Sequence, residues 1–223
     1  MPCDTKPAAS IAASTAAGRI AIFTDLKNPA LEKKTGKREI AKIVSDPGAF
    51  LDLLKNLTAN ANCDGIRIYF ALKDDVLALI FVPTLADKTD PKVHNDDLDN
   101  CWLLTTGRIV RIDSKDASGL IVAFEKQRLV YFQDDGKSVV GQDYLETKSL
   151  WYSIALFGSN GKDGLIDYLD CLISNGLVSE VDVWFGGFLQ SDQQQSPITP
   201  HYQLTLVFQF LEALSATRAL TAS

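Results

Sequence analysis

Cys63-Asp64-Gly65-Ile66-Arg67-Ile68-Tyr69-Phe70-Ala71 is the stretch on which the reading of this chain turns. Apolar and polar side chains alternate with a period of two, which is the pattern of a half-buried strand. Ile66, Ile68 and Phe70 then share one face, and Arg67 and Tyr69 share the other. The pattern returns 115 positions later, where Val181-Asp182-Val183-Trp184-Phe185 lies over Ile66–Phe70. The same register carries Leu51-Asp52-Leu53-Leu54-Lys55-Asn56-Leu57 onto Ile166-Asp167-Tyr168-Leu169-Asp170-Cys171-Leu172 without a gap. Leu77–Phe81 matches Leu204–Phe208 once a longer loop is allowed, and Ile11, Arg19, Ile20, Phe23 and Asp25 fall over Leu120, Arg128, Leu129, Phe132 and Asp134. Two copies of one module is the simplest account. Because identities are few, chance likeness between two amphipathic helix–strand units is the competing one.

Each copy reads in the same order. A helix is expected near Ala8–Lys27 and near Lys115–Asp134, the second with Ser114 or Asp116 as its cap. Short strands follow at Ile40–Val44 and Leu150–Leu156. A second helix opens at Asp46-Pro47 or at Asp163 and ends near Asn60 or Asn175. Two strands complete the unit, Gly65–Ala71 with Val76–Val82 and Glu180–Gly186 with Tyr202–Phe210, their apolar faces against the module's own helices. Cys101–Asp113, around Thr106-Gly107, reads as a hairpin or arm. The expected fold is α+β: a tandem duplication of an αβαββ module in a pseudo-two-fold arrangement with a mixed sheet. Residues 1–113 form the first module with its hairpin, and residues 114–223 form the second.

Cys63–Ala71, followed by the strand ending Phe81-Val82-Pro83-Thr84, resembles a signature of small uncharacterised bacterial proteins without an assigned activity. The resemblance covers about the first 85 residues, implies a shared fold and supplies no function. The second copy departs from it, with Glu180 in place of the Gly and Asp182 in place of the Arg.

Composition excludes several classes. With 223 residues, 46% of them hydrophobic and 22% charged, the chain can bury a core without staples. No apolar run approaches the ~20 residues of a membrane helix. Twenty-two Lys plus Arg against 28 Asp plus Glu leave a net charge of −6, which disfavours nucleic acid and anionic membranes and favours a basic partner. Cys3, Cys63, Cys101 and Cys171 are widely spaced, form no C-x-x-C, and read as buried or idle thiols in a cytoplasmic protein. Met1–Gly18 lacks the continuous apolar segment of a secretory signal.

No stretch reaches a catalytic or cofactor signature. Gly158–Gly164 sits where a phosphate loop would but lacks its Gly spacing, and Asp163 follows the Lys. His94–Cys101 concentrates oxygen ligands, yet Asn100 and Thr106 stand where a calcium loop wants Gly and Glu, so it reads as a solvated loop without metal. Lys33–Arg38 reads as a solvated basic turn. With His94 and His201 alone available and no G-x-S-x-G, hydrolase chemistry has few candidates. The expectation is a non-catalytic cytoplasmic binding module without cofactor, of which an acidic, immunity-like protein masking a basic partner is one form. The alternative is a small-molecule enzyme with its site between the repeats. The candidate binding residues are Arg67, Tyr69, Asp182 and Trp184, on the faces opposite the core. Arg67 and Asp182 hold equivalent positions with opposite charges, so they would pair if the two faces met. The chain is then a monomer with pseudo-dimeric repeats or a homodimer.

Overall fold

The computed structural model describes residues 3, 7, 10–87, 89, 90, 93–129, 149–157, 164–187 and 204–213. The first half opens with α1 (Ala13–Ala21), which runs through a π-helical segment, Ile22–Lys27, into α2 (Asn28–Thr35). The helix was expected to stop near Lys27. It continues directly from the π-helical segment through Asn28 and Pro29, and it ends at Gly36, whose φ of 73° is left-handed. Next come β1 (Lys42–Ser45), α3 (Pro47–Leu57), β2 (Cys63–Lys73), β3 (Val76–Ala86), β4 (His94–Asp96), β5 (Cys101–Thr105) and β6 (Arg108–Ile112). The second half contains α4 (Ser114–Phe124) with its π-helical end Glu125–Leu129, β7 (Ser149–Ser153), α5 (Ile154–Phe157), α6 (Leu165–Ser174), β8 (Val178–Gly187) and β9 (Leu204–Glu212).

Local chemistry accounts for the helix starts. Asp46 accepts the Ala49 N–H at 2.8 Å and Pro47 fills the first turn of α3, as expected. In α4 the cap is Asp113, one residue ahead of Ser114 and three ahead of Asp116, and it accepts the Asp116 N–H at 2.7 Å. The β2–β3 turn rests on Asp74 and Asp75, both with positive φ, as a two-residue hairpin requires. The expected Asp163 cap, the Gly158–Lys162 loop, Tyr131–Asp134, the Leu189–Thr199 loop and Tyr202 lie outside the described residues.

The fold is α+β and, among the described residues, has two sheets, a three-stranded one ordered β1-β8-β9 and a six-stranded one ordered β6-β5-β3-β2-β7, with β4 also paired to β3. A mixed sheet is expected if each module's first strand pairs, across its helix, with its own next strand. Instead β1 pairs with β8 of the second half and β7 with β2 of the first, and the described ladders are antiparallel. The two exchanges share one register. Ile66, Arg67, Ile68 and Tyr69 face Tyr152, Trp151, Leu150 and Ser149, while Val181, Asp182, Val183 and Trp184 face Ser45, Val44, Ile43 and Lys42. Within the hairpins Ile68 faces Phe81 and Phe70 faces Leu79, as Val183 faces Phe208 and Phe185 faces Leu206.

The helices cross over as well, which corrects the expectation that each hairpin packs on its own helices. Phe23, just past α1, packs on Phe185 of β8 at 5.5 Å, and Phe124 of α4 packs on Phe70 of β2 at 5.6 Å. Phe70 and Phe185 meet at 6.2 Å, so four buried rings run through the centre of the core. Phe124 therefore takes the place opposite Phe23 that the upstream match assigned to Phe132. α3 lies between the hairpins, with Phe50 against Phe81 at 6.2 Å and Phe208 at 5.9 Å. Behind the rings, buried Arg128 donates from Nε to the fully buried Glu39 and from Nη2 to Asp75, which also takes Lys37 at 2.8 Å.

Cys3 is bonded to Cys171 across 168 residues, so these two cysteines are not idle thiols; Cys63 and Cys101 are free and buried. The spacing in the chain carries no trace of so distant a partner. Among the described residues, no helix is long and apolar enough to cross a membrane.

Candidate functional site

The polar face of β2 is covered from one side by β4 and from the other by β7. Arg67 reaches Asp96 of β4 from Nη1 at 2.6 Å and donates from Nη2 to the His94 carbonyl at 3.3 Å. The Tyr69 hydroxyl donates to the second oxygen of the same carboxylate, so Asp96 is clasped by both candidate residues of this strand. Burial pushes the Tyr69 hydroxyl up to about 12, with help from the Asp96 carboxylate, so it stays a donor at neutral pH.

One residue pair earlier, Asp64 links two strands. It accepts the Thr84 hydroxyl at 2.7 Å on Oδ1 and engages His94 Nδ1 at 2.6 Å on Oδ2. The His94 ring lies on Trp151 of β7 with centroids 4.5 Å apart and planes 30° apart. Gly65 makes this stacking possible. A Cβ there would stand 2.6 Å from the Tyr152 carbonyl oxygen and 3.0 Å from both Thr84 Oγ1 and Trp151 Nε1. The residue type at each position of the opening motif thus has a physical reason. Ile66, Ile68 and Phe70 fill the core, Arg67 and Tyr69 hold Asp96, Asp64 holds His94, and Gly65 clears the indole.

Asp182 and Trp184 belong to the other sheet and do not join this cluster. Lys42 of β1 reaches Asp182 Oδ2 at 2.6 Å and Glu180 at 3.7 Å, and stands 5.2 Å from the Trp184 ring centroid. Trp184 Nε1 donates to Gln209 at 2.9 Å. Asp182 is 1% exposed, and its Oδ1 has no hydrogen-bond partner among the described residues. Arg67 and Asp182 are therefore not partners of each other. Each is neutralised within its own sheet, by Asp96 and by Lys42, which is how equivalent positions can carry opposite charges.

The loop read as solvated is structural at its centre. His94 and Asp96 sit on a short strand with Asp96 opposite Thr84, a role that ligand spacing could not reveal. Asp87 turns the chain into it: hydrogen bonds from the Thr89 hydroxyl, then from the Thr89 and Asp90 N–H groups, hold its carboxyl near 2. Asp64, Thr84, His94 and Trp151 were missed as site residues, although Asp64 and Thr84 stand inside the quoted motif. Trp151 comes from the other half of the chain, where only the exchanged register could have pointed to it. Among the described residues, no cluster of three His, Cys, Asp or Glu side chains could hold a metal ion. No family model, curated protein or solved structure matches the chain.

Proposed function

We propose that the protein is a non-catalytic binding module that meets a positively charged partner through the face carrying Arg67, Tyr69, His94, Asp96 and Trp151. The observation that carries this reading is Trp151, which remains 41% exposed although it is stacked on His94. Val93 and Leu98 are also exposed on the adjoining loop, which carries Asp87, Asp90, Asp97 and Asp99 in a chain of net charge −6. A rigid aromatic anchor inside a charged rim is the composition of a recognition surface. Arg67 and Tyr69 act as positioning residues by fixing Asp96, while Asp182 and Trp184 keep a structural role beside Lys42. An acidic, immunity-like protein masking a basic partner is the specific form of this reading, and neither metal nor cofactor takes part in it.

A covalent version of a two-fold dimer, working as a monomer, is the reading that the matched exchange of α1 with α4 and of β1 with β7 supports. A cytoplasmic location competes with the Cys3–Cys171 disulfide, which an oxidising compartment preserves. A thiol count decides between them.

Paired baits test the function. The intact protein should retain a basic protein at low salt and release it at high salt, and the Trp151→Ser bait should retain none of it. Equal retention by both baits, or a retained partner without a basic surface, refutes the proposal. One observation favours a second reading, a small-molecule enzyme. His94 Nδ1 engages Asp64 at 2.6 Å and the ring lies on Trp151, so an imidazole is oriented by a carboxylate at this face. That reading predicts turnover of a small substrate lost in His94→Gln and needs no protein partner.

A further inference from the structure

At the opposite edge of the six-stranded sheet from Trp151, a groove of about 1210 Å³ lies between α4, the β5–β6 hairpin and the β2–β3 turn. Leu77, Leu103, Val110 and Leu120 give it an apolar floor. Its walls carry Lys73, Arg108, Arg111 and Lys115 against Asp74 and Asp116, a local excess of positive charge in an acidic chain. Two of the cations are engaged, Lys73 with Asp74 at 3.4 Å and Arg111 with the Asp99 carbonyl at 2.6 Å. Arg108 and Lys115 have no side-chain partner among the described residues.

Gly119 leaves room along the same groove. It sits in the middle of α4 on the groove wall, and a Cβ there would meet nothing within 4 Å. Glycine weakens a helix interior, and no packing contact demands it at this position. Its absent side chain leaves the helix wall open one turn from Lys115.

We propose that this groove binds a small amphiphilic anion, an aliphatic chain ending in a carboxylate or a phosphate monoester. The chain lies on Leu103, Val110 and Leu120, and Arg108 at the hairpin end of the groove and Lys115 at the start of α4 are the cations that draw the head group. The site stands apart from the Trp151 face and does not depend on it.

Calorimetric titration of the full-length protein with decanoate, decyl phosphate and decanol, each below its aggregation limit, tests this. At least one anion should bind, with decanol at least tenfold weaker, and the tighter anion identifies the head group. Gly119→Leu should lose at least tenfold in anion affinity with no fall in melting temperature, since leucine favours the helix and fills the groove. The Arg108→Gln/Lys115→Gln double variant should lose as much for the anion and nothing for decanol. Failure of both anions to bind, decanol binding as tightly as either, or unchanged anion affinity in either variant overturns the proposal.

Discussion

Gly65→Ala puts the assembly of the Trp151 face under direct strain. The new methyl carbon would lie 2.6 Å from the Tyr152 carbonyl oxygen, which belongs to backbone and cannot swing aside, and 3.0 Å from the Thr84 hydroxyl and the Trp151 indole nitrogen. Relief requires β7 to separate from β2 where Gly65 faces Ser153 and Ile66 faces Tyr152. Overpacking of this kind costs about 1–3 kcal/mol. Loss of one ladder hydrogen bond adds about 1 kcal/mol. Stiffening of the unfolded chain returns roughly 0.4–1 kcal/mol. The net expectation is a loss of about 1–3.6 kcal/mol, read in urea as a lower midpoint at unchanged slope. Trp151 fluorescence should shift as the indole leaves His94. The same substitution at Gly119, where a Cβ meets nothing, should instead stabilise by about 0.5–1 kcal/mol. A Gly65→Ala protein within about 0.5 kcal/mol of the parent, the range of a neutral surface change, would refute the reasoning.

Glu39→Gln leaves the buried Arg128 guanidinium with Asp75 as its remaining anion, and should cost about 1.5–3 kcal/mol in the same assay. Tyr69 binds its proton more tightly folded, about 12 against an unfolded value near 10, so its contribution is complete below pH 10 and is lost as pH rises toward 12. Phenolate absorbance should therefore show tyrosines that ionise only as the protein unfolds in that window. Asp75 is held below its ordinary carboxyl range by hydrogen bonds from Lys37 and then Arg128, so its contribution is complete above about pH 4 and falls in acid. Thiol titration in denaturant without reductant should find two reactive cysteines, Cys63 and Cys101, rising to four after reduction, and reduction should cost about 2–4 kcal/mol. Four thiols before reduction would remove the disulfide and restore the cytoplasmic expectation.

The parts of the fold legible in the sequence were those with short-range causes. Alternation placed Ile66, Ile68, Phe70, Val181, Val183 and Phe185 in the core, and the Asp46-Pro47 pair marked the start of α3. The exchange of β1 and β7 was not legible, because the strand pattern of Ile43 is satisfied equally by Ile68 or Val183 and no local preference separates the two. The site suffered for the same reason. Arg67 and Tyr69 were found from β2 alone, whereas His94, Asp96 and Trp151 reach them from other strands. Asp182 and Trp184 looked equivalent by position, yet the strand opposite them brings Lys42 where β7 brings Ser149 and Trp151.

A recognition face assembled by exchange between the halves is tested most directly by cutting the chain. Residues 1–112 and 113–223, divided so that Asp113 stays with α4, should each fail to give a cooperative unfolding transition alone. Mixed under oxidising conditions they should form a one-to-one complex with the fluorescence of the intact protein, because each half supplies a helix and a strand to the other's hairpin. Cooperative folding of either half by itself would contradict the exchange, and with it a site that joins Trp151 to His94.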